Sequence, residues 1–162
     1  MLNQTPIKDQ ANEFMVFLYG TFNNPQDKAT LKRAFQSDNC HKKACLLVSR
    51  KCPQVDFKFL ESAVVTGQLF ADNGGKTDQP TFARQFGKYC LKEDSYRRRW
   101  EELMDARDRT FTHRLQRLIK LMRSKYPHAN FNYRQLFIDL SMMQTSLRED
   151  ILSKWYEDVI GR

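Results

Sequence analysis

Apolar side chains recur three and four residues apart from one end of this chain to the other, and strict alternation of apolar and polar residues is rare. That spacing matches the turn of an α-helix, not the two-residue period of a strand. It predicts an all-α protein of about nine helices. With 41% hydrophobic residues, the chain can bury a core against those helices.

The first helix is expected over residues 10–22, with Phe14, Phe17, Leu18 and Phe22 on one face. Pro25 interrupts, and Asp27 is the candidate cap of a second helix in "DKATLKRAF". A third runs through "HKKACLLVSRK" and ends before Pro53. Asp56 caps a fourth, where Leu60, Ala63, Val64, Gly67 and Ala71 make a close-packing face and Gly67 is a contact point. "DNGGKTDQ" then reads as a mobile loop. It divides an N-terminal helical half, 1–72, from a C-terminal half, 81–162, across a flexible segment at 73–80.

In the second half, Pro80 is placed in the first turn of "PTFARQFGKYC", and Asp94 or Ser95 caps "YRRRWEELMDA". "NYRQLFIDLSMM" buries Tyr133, Leu136, Phe137 and Leu140. The last helix opens on a Ser146–Glu149 capping box and turns Leu147, Ile151, Trp155 and Val159 inward.

Charge is concentrated. The chain carries +8, and between Arg97 and Lys125 ten basic side chains face four acidic ones, a net of +6. No acid occurs from Arg109 to Ile138. On a helical projection from Arg114, Phe111, Leu115, Leu118, Ile119 and Met122 occupy an arc of about 40–140°. Arg123, Arg109, Lys120 and Arg117 fall at about 180°, 220°, 240° and 300°, on the wet side. Like charges at this spacing repel by a few tenths of a kcal/mol per pair, a cost that phosphates would remove on binding. The alternative is a solvated face whose arginines pair with Glu101, Glu102, Asp105 and Asp108. Arg97 to Arg99 point in different directions and cannot all serve one surface. Trp100 reads as a core anchor, because Leu103 and Met104 continue its apolar face.

Catalytic and cofactor chemistry finds no motif. Gly74-Gly75 lacks the Lys-Ser/Thr of a phosphate-binding loop, and Ser and His occur without a nucleophile elbow. Cys40, Cys45, Cys52 and Cys90, with His41, His113 and His128, follow no zinc spacing, so reduced thiols and no metal are expected. No apolar run approaches the ~20 residues of a membrane span, and "MLNQTPIKDQANEF" has no secretory h-region. The expectation is a non-enzymatic cytoplasmic protein. Cations spread over several segments fit backbone contact better than base reading by one recognition helix.

With its segments in order, the chain resembles the CasB family, the small subunit of the type I-E CRISPR Cascade complex, from about Phe14 to Tyr156. "ATLKRAF" resembles the family's A-x-L-R-R-A segment, and "GQLFA" the end of its central helix. "RRRWEELMDARDR" resembles R-R-F-x-x-L-L-x-A-R-D-R. "LQRLIKLMRSKYPHANFNYRQLFIDL" resembles L-R-x-L-V-x-L-L, a variable loop and L-D-W-x-x-L-x-x-D-L, and "REDILSKWYEDV" the closing R-x-x-W-x-x-x-Y/F helix. Met142 and Met143 stand where the family often has Trp, and Ala83 where it has Gly before the arginine that Arg84 matches.

The resemblance implies a two-part helical fold without a catalytic site, present as two copies beside the backbone and large subunits and the guide RNA. It implies a grip on single-stranded DNA, the displaced non-target strand, that stabilises the R-loop. Arg33, Arg107, Arg109 and Arg117 fall on the family's basic positions, Arg84 matches one, and Lys58 and Lys76 lie near others. Arg114, Lys120 and Arg123 join this candidate set from the helical projection alone. For Arg84 and Arg107 an internal salt bridge is the competing reading. A protein-docking spacer without nucleic-acid contact, and less so a helical DNA-binding regulator, are the alternatives.

Overall fold

A computed structural model describes residues 5–161. Among these the chain forms nine α-helices and two short 3-10 turns, with no strand. The helices are α1 (Ile7–Gly20), α2 (Pro25–Lys32), α3 (Asp38–Lys51), α4 (Leu60–Asp72), α5 (Phe82–Cys90), α6 (Asp94–Asp105), α7 (Asp108–Lys125), α8 (Tyr133–Met142) and α9 (Arg148–Val159).

They group into two compact units, each built from two stretches of chain. The first comprises residues up to Lys76 together with Tyr133–Leu147, and the second Thr77–Asn132 with the chain from Arg148 onward. The expected C-terminal half, 81–162, is therefore not one body: α8 belongs with the N-terminal helices. The physical reason is its apolar surface. Tyr133, Leu136, Phe137 and Leu140 are all buried, and α8 spends them on α1 and α4. Phe137 packs on Phe14 at 5.0 Å between ring centroids, and Tyr133 meets Phe70 edge-on at 5.5 Å.

In the first unit α4 is the central element, packed by α2, α3 and α8. Gly67 lets α2 approach: a Cβ there would sit 3.2 Å from Leu31 Cδ2. Asn24, not Asp27, caps α2, accepting the Asp27 N–H at 3.1 Å, and Pro25 opens the helix because its missing N–H would be unpaired there anyway. Asp56 caps the 3-10 turn Phe57–Phe59 that leads into α4. Phe22, expected inward, lies in the 3-10 turn after α1 and is 51% exposed. In the 73–80 segment Gly74 and Gly75 follow Asn73 at φ +68° and +76°, where L side chains are strained.

The second unit is centred on aromatic rings. Trp100 stacks on Phe86 at 5.0 Å, and Phe82 meets Trp155 edge-on at 5.6 Å. Trp100 is thus the expected core anchor. Thr81 caps α5, accepting the Arg84 N–H, which leaves Pro80 just outside the helix rather than in its first turn. Glu93 occupies the cap position of α6 without a side-chain capping bond, and Asp94 is its first helical residue. Of the four inward residues expected on α9, Trp155 and Val159 are buried, Ile151 is half-buried and Leu147, ahead of the helix, is 46% exposed.

Candidate nucleic-acid interface

α7 buries Phe111, Leu115, Leu118, Ile119 and Met122, the arc that periodicity assigns to the core. The rest of its circumference is therefore fixed outward. Arg109, Arg114, Arg117 and Lys120 are exposed, and Arg123 is half-buried. From Arg109 to Arg123 the row extends about 21 Å along the helix axis.

The internal partners of these cations decide what is left for a ligand. Arg114 Nη1 donates to the backbone carbonyl of Glu102 at 2.7 Å, and Arg123 Nη1 donates to the carbonyl of Pro127. Arg107 lies 4.0 Å from Glu149, with both side chains more than 70% exposed, a loose surface pair. Arg109, Arg117 and Lys120 have no hydrogen bond or ion pair among the described residues. None of Glu101, Glu102, Asp105 and Asp108 offers its carboxylate to these arginines, so the pairing weighed as the alternative does not form among the described residues. His113, not singled out by charge counting, is exposed one turn from both Arg109 and Arg117 on the same face.

The entry into α7 is tightly determined. Ala106 and Arg107 are extended, and Asp108 begins the helix at φ +52°, a left-handed conformation rare outside glycine. Arg148 holds this corner from α9. Its Nη2 donates to the Ala106 carbonyl at 2.8 Å, and its guanidinium lies 5.2 Å from the Phe111 ring centroid. Sequence reasoning overlooked Arg148, because nothing in its local pattern separates a structural cation from a solvated one. At the far end, Lys125 donates to Glu93 and lies over Tyr96 and Tyr126. The hydrogen bond to Glu93 raises the lysine pKa, so Lys125 is committed to a partner inside the unit.

Arg84 is exposed on α5 with no side-chain partner among the described residues, so the internal salt bridge considered for it is absent there. In the first unit, Arg33 ends α2 and, with Lys43, brings charge to an open cleft of about 390 Å³ lined also by Gln26, Ala29, Thr30 and Cys40. Neither Lys58 nor Lys76 lines that cleft. Lys58 Nζ lies 5.0 Å from the Phe59 ring centroid, and Lys76 is exposed after Gly75, its carbonyl accepting from Asn73. Of the candidate cations, then, those on α7 share a face in the second unit, and Arg33 shares a cleft with Lys43 in the first.

All four cysteines are free, and burial pushes Cys52 and Cys90 up to about 12, with Glu13 and Glu93 adding to the respective shifts.

Two helical units, one bearing along a single helix a row of cations of which Arg109, Arg117 and Lys120 have no partner among the described residues, define a small all-α protein with a concentrated basic surface. The sequence profile of the CRISPR-associated protein Cse2 family matches residues 27–158. The chain belongs to that family. Its fold is shared with a CRISPR-associated Cse2-family protein from Thermus thermophilus at TM-score 0.80 and 17% identity, covering 94% of this chain and 98% of the other. It is also shared with CasB from Thermus thermophilus at TM-score 0.77 and 16% identity, covering 98% and 99%. Among curated proteins none matches. No helix among the described residues is long and apolar enough to cross a membrane.

Proposed function

We propose that this chain is the non-catalytic small subunit of a type I-E CRISPR Cascade complex. It binds nucleic-acid backbone without sequence preference, holds the displaced non-target strand and so stabilises the R-loop. Its neighbours are the backbone and large subunits, the guide RNA and a second copy of itself, in the cytoplasm. The observation that carries this reading is the exposed row Arg109, Arg117 and Lys120, which has no internal counter-charge among the described residues. Exchange of a DNA duplex for an RNA–DNA hybrid is nearly balanced in free energy, so a few phosphate contacts decide whether the loop stays open. A cationic track on one helix supplies such contacts to any sequence.

The test is R-loop lifetime in the assembled complex, together with single-strand affinity over a salt series. Replacing Arg109, Arg117 and Lys120 by Ala should shorten the lifetime. It should also flatten the log–log salt slope by about 2, at ~0.7 per lost phosphate. An unchanged slope would refute the interface.

A protein-docking role has its own support. Phe57 is 87% exposed and Leu46 71%, both in the first unit, where a protein partner rather than a phosphate would cover them. Pull-down of the other subunits with and without nuclease separates the two roles.

A further inference from the structure

The pair Cys45 and His41 stands one turn apart on α3, and Glu61 stands in the first turn of α4, which packs against α3. Their ligand atoms all lie within 4.8 Å of one another. His41 Nε2 already lies 2.8 Å from Glu61 Oε2, in direct hydrogen-bond contact, so two of the three ligand atoms are already adjacent. The Phe35 ring packs 5.1 Å from the imidazole and helps to fix its plane. His41 is 29% and Glu61 51% exposed at the side chain, which leaves a path for an ion. We propose that His41, Cys45 and Glu61 form a zinc-binding site that clips α3 to α4.

The donor set selects the metal class. A thiolate and an imidazole exclude Ca²⁺ and Mg²⁺, which take oxygen ligands, and favour a borderline ion such as Zn²⁺. Three protein ligands leave the fourth tetrahedral position to a water molecule. Small side-chain rotations close the three atoms around one ion, because helix spacing already places His41 and Cys45 on one face. Without a cation, the thiol stands beside a carboxylate, and burial together with the Glu61 charge opposes its ionisation. A dication between them reverses that balance, and the thiol proton passes to bulk solvent on binding. The site is invisible to sequence spacing because its third ligand comes from the facing helix.

The experiment is a titration of the reduced, chelator-treated protein with Co²⁺ alone, followed by displacement with Zn²⁺. One equivalent should give a thiolate-to-cobalt charge-transfer band and the intense visible bands of four-coordinate cobalt, and Zn²⁺ should abolish both. Cys45→Ser should remove the charge-transfer band, Glu61→Gln should weaken Zn²⁺ binding about tenfold or more, and Cys40→Ser, one residue before His41 and outside the cluster, should change neither. Circular dichroism confirms that each variant is folded. No charge-transfer band in the wild type, or a band that survives Cys45→Ser, overturns the site. DNA affinity of the Arg109, Arg117 and Lys120 variant is read separately, so either idea can fail alone.

Discussion

A Cβ built on Gly87 would lie 2.0 Å from the carbonyl oxygen of Val159. The crossing of α5 and α9 thus depends on the absence of a side chain, and the obstacle is backbone, which cannot rotate away. In an ordinary helix Ala is favoured over Gly by about 1 kcal/mol. Here Gly87→Ala should instead destabilise by about 3 kcal/mol or more. Thermal unfolding checks this as a fall in Tm of about 6 °C or more.

Asp108 poses a similar question at the start of the basic helix. Its φ of +52° suits Gly, and its carboxylate suits the positive end of α7. Asp108→Gly and Asp108→Ala both remove the charge, so their difference isolates the backbone. The Gly variant should be the more stable by about 1–2 kcal/mol, the reverse of the normal helix order. Urea unfolding of the two variants measures it.

Arg148 anchors the same corner through the Ala106 carbonyl and the Phe111 ring. Arg148→Lys keeps the charge but loses the planar fork and the stacking. Both Arg148→Lys and Arg148→Ala should cost about 1–2 kcal/mol. Glu149→Ala, which breaks only the loose pair with Arg107, should change stability by less than about 0.5 kcal/mol. A chemical-denaturation series distinguishes them.

The buried thiols make stability fall in alkali. Native Cys52 and Cys90 keep their protons to about pH 12, whereas the unfolded chain releases them near the ordinary 9.0. Above that ordinary value the native state binds more protons than the unfolded state, so unfolding free energy declines as pH rises. Their stabilising contribution is fully present below 9.0 and lost through about 12. Each thiol contributes a slope of about 1.4 kcal/mol per pH unit within that window. Urea midpoints of the wild type and a Cys52→Ala, Cys90→Ala variant should converge as pH increases.

The helices were legible because their buried faces repeat along the chain. The arc Phe111, Leu115, Leu118, Ile119 and Met122 follows from spacing alone, as do Tyr133, Leu136, Phe137 and Leu140 among the buried residues of α8. What spacing does not carry is the partner. α8 shows which residues it buries but not that α1 and α4 bury them. The same limit applies to charge. Arg109, Arg114, Arg117 and Lys120 look alike in sequence, yet Arg114 is bonded to the Glu102 carbonyl while the others are not. Gln10, an ordinary polar residue by pattern, is 3% exposed and accepts the Asp56 N–H from 46 positions away. Such bonds depend on tertiary approach, which no local window records.

The exchange of segments between the units has a consequence during synthesis. When the first 76 residues have left the ribosome, the groove between α1 and α4 still lacks the helix that fills it, and that helix is made only after most of the second unit. The second unit in turn waits for α9. Nascent chains should therefore stay open and protease-sensitive until nearly the whole polypeptide has emerged, with neither body maturing ahead of the other.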